Sequence, residues 1–327
     1  MVNDPDGAPL VMDDGGTDPR YGADPKERTI EELMDRGVVI LDKPSGPTSH
    51  QVVHWLKNIL GIEKAGHHGT LDPRTTGVLP VALGKGVRAL NVTEKDRKEY
   101  VALMKLHREV EEGILGSVSE EFKGEIYQMV PVRSAVKRGL RTRRVHYLKI
   151  LEVRGGEVLL LVGCDPGTYI RTLVHDMGEV IGVGANMVEL RRTRSGGIKE
   201  NDCVTLQQVK DAHEIFLREG EEGPLRKVVR PYEVLFEHLH RVVIKDSAVD
   251  AVCHGAPLGI PGLASVSSTM NPGDDVVVLT RKGEAVALGE ALLSSARLNR
   301  RGSGRAVEIS RVLMDPGTYP RAWKRKE

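Results

Sequence analysis

Gly66-His67-His68-Gly69-Thr70-Leu71-Asp72-Pro73-Arg74-Thr75-Thr76-Gly77 is the stretch on which the reading of this chain turns. Its glycines and proline mark a loop, which exposes backbone and fixes side-chain direction, as functional loops do. Asp72 stands inside it, just ahead of the apolar run Val78–Leu83. Two readings of Asp72 are open at this point. Asp before Pro is a common turn-capping pair, and a carboxylate held on an ordered loop is also a candidate for chemistry. His67 and His68 raise the question of a metal. Adjacent histidines point apart and no third ligand has suitable spacing, so no metal is expected.

Upstream, Val38–Leu41 reads as a strand that ends in the turn-rich Asp42-Lys43-Pro44-Ser45-Gly46-Pro47. Thr48 or Ser49 then caps a helix whose apolar face is Val52, Val53, Leu56, Ile59 and Leu60, closed by Gly61. Downstream, Tyr100–Leu106 reads as a strand, and Tyr147–Arg154 with Glu157–Cys164 as a hairpin around Gly155-Gly156. Asp165-Pro166-Gly167 breaks that pattern, and Ile170, Leu173, Val174 and Met177 then recur at helical spacing. Leu206–Arg218 is expected to be helical, with a polar break over Glu219–Pro224. After His240 the texture changes to short β segments, Arg241–Ile244, Asp275–Thr280 and Ala285–Ala291, separated by Gly and Pro. That spacing predicts a compact β-rich module. The string Asp-Pro-Gly-Thr-Tyr occurs at 165–169 and 315–319. Without wider similarity around the copies, it is not read as a repeat.

A length of 327 residues exceeds what one core usually serves, so two domains are expected. The net charge of +1 hides segregation. The first 36 residues carry ten acidic and four basic side chains, whereas Arg133–Arg154 carries eight basic and one acidic. From Arg297 to the end there are nine basic and three acidic side chains. Concentrated basic segments suit a polyanionic partner. Residues 1–28, rich in Asp, Gly and Pro, are expected to be poorly ordered. Cys164, Cys203 and Cys253 lie far apart with no CxxC pair, which offers neither a disulfide framework nor a zinc site. With no apolar run of membrane length and no secretory leader, a cytoplasmic protein is expected.

Further segments make the pattern specific. Lys43-Pro44-Ser45-Gly46-Pro47-Thr48-Ser49 and the Asp72 stretch through Pro80 resemble the first two motifs of the TruB/dyskerin pseudouridine synthases. The resemblance continues, in the family's order, at Lys98-Glu99-Tyr100, Gly167-Thr168-Tyr169-Ile170-Arg171-Thr172-Leu173 and Leu190-Arg191-Arg192-Thr193-Arg194-Ser195-Gly196. From His238 onward the chain resembles a PUA domain. Arg133–Arg144 and the ending Asp315–Lys324 look like the archaeal counterpart of dyskerin. About the first 30 residues have no such counterpart.

The resemblance implies an α+β fold, a mixed-sheet catalytic domain followed by a small β-barrel-like PUA domain. The expected boundaries are an acidic extension over 1–30, the catalytic domain over 31–237, the PUA domain over 238–314 and a basic tail over 315–327. It also implies isomerisation of uridine to pseudouridine in RNA, without a cofactor. Asp72 would be the catalytic carboxylate, and Arg171 the permanent charge that keeps it ionised. Tyr169 and Arg171 would point the same way if the backbone there is extended. Tyr169 and Tyr100 would hold the flipped base, and Leu190 would line the pocket. Lys43 and Pro44 would brace the loop, and His67 matches a position that contacts RNA in stand-alone relatives. His68 departs from the family's Gly or Thr. Arg133, Lys137, Arg138, Arg141, Arg143 and Arg144 would form a mobile segment that holds RNA phosphates.

Two enzymatic readings follow. The first is the catalytic subunit of an H/ACA ribonucleoprotein that modifies rRNA under a guide RNA. Its partners would be a small zinc-ribbon protein, a small β-barrel protein and a kink-turn-binding protein. The second is a guide-independent synthase acting on the T-loop uridine of tRNA. A third reading, an RNA-binding scaffold without catalysis, predicts a broken motif, yet Asp72, Tyr169 and Arg171 are all present.

Overall fold

A computed structural model describes residues 8–129, 139–298 and 302–322. The chain divides into two compact units. One spans Val38–Val229, and the other joins the N-terminal residues, through Gly37, to the chain from Arg230 onward.

The larger unit is built on strands β1 (Gly37–Lys43), β2 (Ala65–His67), β3 (Thr76–Leu83), β4 (Lys98–Leu106), β5 (Gly124–Met129), β6 (Leu140–Arg154), β7 (Glu157–Cys164), β8 (Ala185–Ser195) and β9 (Ile198–Lys199). Its helices are α1 (Ser49–Leu60), α2 (Glu112–Glu121), α3 (Ile170–Ile181), α4 (Leu206–Glu219) and α5 (Glu222–Val228). The sheet runs β1-β3-β8-β4-β7-β6-β5, with β2 against β3 and β9 against β8. Neighbours are antiparallel except β3 and β8, which pair in parallel through Thr76↔Arg191 and Gly77↔Arg192. The sheet is therefore mixed, as the α+β reading requires.

That parallel pair needs a glycine. Gly77 has φ 99°, and a Cβ there would lie 2.2 Å from the Arg192 carbonyl oxygen, so only glycine lets the two backbones approach this closely. The Asp72 loop is thereby delivered against β8.

Helix α1 begins at a full capping box. Thr48 Oγ1 accepts from Gln51 N–H and Gln51 Oε1 accepts from Thr48 N–H. Val52, Val53, Leu56 and Leu60 are buried, and Gly61 ends the helix at φ 64°. Because Thr48 is the cap, Ser49 is left for another task. In α3 the apolar set Ile170, Leu173, Val174 and Met177 is buried, as its spacing predicts. The helix begins at Ile170, so Arg171 lies in its first turn rather than on extended backbone. The expected break over Glu219–Pro224 is shorter than predicted: Gly220 closes α4 at φ 71°, and α5 starts at Glu222.

In the smaller unit the sheet order is Leu10–Val11, Leu263–Val266, His240–Ile244, Asp275–Leu279, Ala285–Ala291, Arg305–Val312, Leu258–Gly259. Val242, Ile244, Val276, Val278, Val286 and Val307 form its core with the helix Asp246–Cys253. Two expectations are corrected here. Residues 8–28 are not a loose extension. Leu10 and Val11 pair with Val266 and Ser265, and Thr17 Oγ1 donates to the Asp246 carboxylate at 2.9 and 3.0 Å. Lys282 Nζ donates to the carbonyls of Asp18, Tyr21 and Gly22. A polar segment that cannot build a core of its own is ordered when neighbours satisfy its backbone. Nor does a free tail begin at Asp315. Tyr319 is buried and donates to Glu284 at 2.7 Å, while residues 323–327 lie outside the described set.

Among the described residues, no helix is long and apolar enough to cross a membrane, and no cluster of His, Cys, Asp or Glu could hold a metal ion.

Candidate active site

The Asp72 loop is fixed from behind by side chains that reach its backbone. Lys43, fully buried at the end of β1, donates from Nζ to the carbonyls of Pro44, Pro73 and Thr75, each at 2.9 Å. Burial lowers its pKa, and the negative charge of Asp72 opposes that shift. Ser49, released from capping, donates to Leu71 O and accepts from Leu71 N–H, both at 3.0 Å. Gly46 N–H donates to Pro73 O at 2.9 Å, and Thr75 N–H to Asp72 O at 2.9 Å. The three Lys43 bonds all run to backbone carbonyls of the two loops.

Arg192 completes the support, and sequence reasoning gave it no role of its own. Its side chain, 1 % exposed, donates from Nε to Val78 O and from Nη1 to Gly69 O, both at 2.7 Å. These two bonds clamp the loop at either end. Lys98, also buried, donates to Ser195 Oγ at 2.9 Å, and burial lowers its pKa to about 8 despite nearby Asp96. The one hint in the sequence was the paired Arg191-Arg192. Alternation along β8 turns one arginine inward and leaves the other to bind Asp42 at 2.9 Å and Glu200 at 2.9 Å.

In front, Asp72 meets Arg171, which arrives 99 residues later on the first turn of α3. The two form an ion pair, with the Asp72 side chain 60 % exposed and that of Arg171 55 % exposed. Tyr169 is the half-buried N-cap residue of the same helix. Gln128, buried on β5, holds its backbone on both sides, accepting from Tyr169 N–H at 2.9 Å and donating to Tyr169 O at 3.0 Å. Tyr100 lies opposite Arg192 and Leu190 opposite Ala102 in the β4–β8 ladder. Burial raises the Tyr100 phenol pKa, while Arg192 pulls it down through its charge and a hydrogen bond. Asp72 is near enough for its charge to raise the same phenol. Tyr100 and Leu190 both pack on the core cluster that contains Ile170 and Leu173. Asp72 and Arg171 thus meet directly, Tyr100 lies within reach of the Asp72 charge, and Tyr169 stands two residues ahead of Arg171 at the head of the same helix.

His67 lies on β2, edge-on to His50 at 4.9 Å between ring centroids, with Nε2 buried and unbonded. Burial, helped by neighbouring His50, Arg192 and His68, lowers its pKa to about 4. A neutral, half-buried imidazole is not a phosphate-binding cation at pH 7. Arg133, Lys137 and Arg138 lie outside the described residues. Arg141, Arg143 and Arg144 are not on a mobile loop but on β6, paired with Gln128, Ile126 and Glu125. Arg141 and Arg143 share one half-buried face of the strand and Arg144 lies exposed on the other, which the charge count alone did not reveal. A groove of about 430 Å³ lined by Asp42, Lys43, Pro44, Thr76, Arg191 and Thr205–Gln207 lies beside the first motif, but Asp72 does not line it.

Similarity to known proteins covers both units. Residues 57–114 match the TruB family pseudouridylate synthase N-terminal domain, and 171–237 the tRNA pseudouridylate synthase B C-terminal domain. Residues 240–313 match the PUA domain. Residues 10–53 match the DKCLD domain, so most of the N-terminal stretch for which the sequence offered no counterpart has one. The chain is 54% identical over 307 residues to the probable tRNA pseudouridine synthase B of Methanopyrus kandleri, covering 94% of this chain and 91% of that protein. A solved Cbf5-Nop10-Gar1 complex contains a chain 48% identical, with TM-score 0.88 and 96% of each chain covered. An H/ACA RNP bound to a substrate RNA containing 2′-deoxyuridine contains one 46% identical, with TM-score 0.88 and 97% of each chain covered.

Proposed function

Since this chain belongs to the TruB family of pseudouridine synthases, we propose that Asp72 is its catalytic carboxylate and that it works in a guide-RNA particle of the H/ACA kind. Pseudouridine formation breaks the bond from ribose C1′ to uracil N1, turns the base, and joins C1′ to C5. The C5 proton is lost and N1 gains one, with no redox change. This chemistry needs a carboxylate that can act on the detached sugar or base, and an acceptor for the C5 proton. Asp72 fits because it projects from a loop whose backbone is bonded on both sides, with Arg171 as its counter-charge. That ion pair is the observation that carries the assignment.

A uridine within folded RNA must be flipped out to be reached. In this reading Tyr169, at the head of α3, and Tyr100, opposite Arg192 in the β4–β8 ladder, hold the extruded base, and Leu190 lines the pocket. Likeness over nearly the whole chain to proteins solved with Nop10, Gar1 and substrate RNA supports the guided reading. Partners are then small proteins of those kinds, a kink-turn-binding protein, a guide RNA and an rRNA target. Three free cysteines suit a reducing cytoplasm. The names of its sequence relatives favour the second reading, direct action on tRNA.

The two readings separate in one assay. Full-length protein is incubated with unmodified tRNA alone, and with guide RNA, partner proteins and a guide-complementary rRNA fragment. Pseudouridine is mapped in each. The guided reading expects modification of the fragment only when guide is present. Robust T-loop pseudouridine in its absence, with no guided product, would transfer the assignment to tRNA. Product from neither would contradict both.

A further inference from the structure

Arg74, two residues past Asp72, has no place in the account so far. Its backbone is among the most restrained in the loop. Lys43 Nζ and Gly46 N–H bond the carbonyl of Pro73, Ser45 Oγ reaches that of Arg74 at 3.4 Å, and Lys43 Nζ also bonds that of Thr75. Three successive carbonyls are therefore tied down, yet the Arg74 side chain is exposed. The other arginines around the loop are occupied. Arg171 pairs with Asp72, Arg191 with Asp42 and Glu200, and Arg192 with Gly69 and Val78. Among the described residues, Arg74 forms no ion pair or hydrogen bond through its side chain.

An arginine is always charged and its planar fork matches a phosphate. One left uncompensated on a rigid turn loses little backbone freedom on binding an anion, which is what preorganisation provides. The anion must come within reach of an exposed carboxylate that repels it, so a cation next to Asp72 has a clear electrostatic task. A nucleotide extruded towards Asp72 carries a phosphate on each side. Resting on the assignment of Asp72 above, we infer that Arg74 binds the phosphodiester flanking the target uridine and so fixes which nucleotide is presented to the carboxylate.

The test uses full-length protein assembled with guide RNA and partner proteins, and one probe, a guide-complementary rRNA oligonucleotide that carries the target uridine. Particles assembled with wild type, Arg74→Ala or Arg74→Lys are titrated with the oligonucleotide across a range of KCl. One lost phosphate contact on a single strand lowers the log–log salt slope by about 0.7. Arg74→Ala should show that drop and Arg74→Lys should restore it. In the oligonucleotide, single methylphosphonate linkages then neutralise the phosphates beside the uridine one at a time. Wild type should lose affinity for one of the two, and Arg74→Ala should be indifferent to it. An unchanged slope in Arg74→Ala, equal sensitivity of both proteins to the neutral linkages, or no binding by wild type would overturn the inference. These are binding readouts. If the protein binds with these signatures yet makes no pseudouridine from any RNA, the enzymatic reading fails while the Arg74 contact stands.

Discussion

The two sides of the Asp72 loop use the same kinds of residue in opposite ways. Behind it, Lys43 and Arg192 are buried, and their bonds run to backbone carbonyls. In front, Asp72, Arg171 and Arg74 are exposed, and only the first two meet. Burying a cation is costly unless it is hydrogen-bonded, and each of these two makes at least two such bonds. The rear charges are thus committed to shape, while the front ones keep their charge available to a ligand. Charged residues gathered around one loop can therefore have unrelated functions.

Substitutions can break that contrast. Among the residues around Asp72, the largest effect on rate is expected for Arg171→Met. Its ion pair is more than half exposed, so folding should change little, as for surface pairs in general. Single-turnover pseudouridine formation should fall roughly 10²-fold, the size seen when one electrostatic partner of a reacting centre is removed. A large loss of thermal stability with an unchanged rate would place Arg171 with the rear group instead. Lys43→Met should do the reverse. It removes the Lys43 donor from the carbonyls of Pro44, Pro73 and Thr75, of which Pro73 keeps its bond from Gly46 N–H, at a cost of roughly 2 to 3 kcal/mol. Urea denaturation measures it, and a midpoint equal to that of wild type would contradict the bracing role.

The smallest effect concerns His67. Its folded pKa of about 4 lies below the ordinary value of 6.5, so the unfolded chain binds the proton first as pH falls. Wild type should therefore lose stability as pH drops from about 6.5 to about 4, and His67→Gln should lose less across that window. Parallel stability curves for the two proteins would show that burial of this imidazole has no such consequence.

The legible part of the fold was its local grammar. Thr48 with Gln51 announces α1, and the spacing of Ile170, Leu173, Val174 and Met177 announces α3. The pentapeptide at 165–169 and 315–319 makes the same turn twice. A glycine at φ 75° or 82° is followed by a Thr hydroxyl donating to the Asp carbonyl. Surroundings then separate the copies, since Tyr319 is buried on Glu284 and Tyr169 stays half-exposed beside Arg171. The support of the site was much less legible. Arg192 reaches Gly69 across 123 residues and Ser49 reaches Leu71 across 22, contacts that exist only once the sheet has formed. Order in residues 8–28 was hidden for the same reason, because their partners lie near the other end of the chain.

The central claim is that Asp72 performs chemistry while its loop is held by others. Asp72→Asn keeps the size of the side chain and removes only its charge. Pseudouridine formation by this variant, measured under single-turnover conditions beside its RNA affinity and melting temperature, tests the claim most directly. The account predicts no product, with affinity and melting near those of the wild type. Product at the wild-type rate would contradict it.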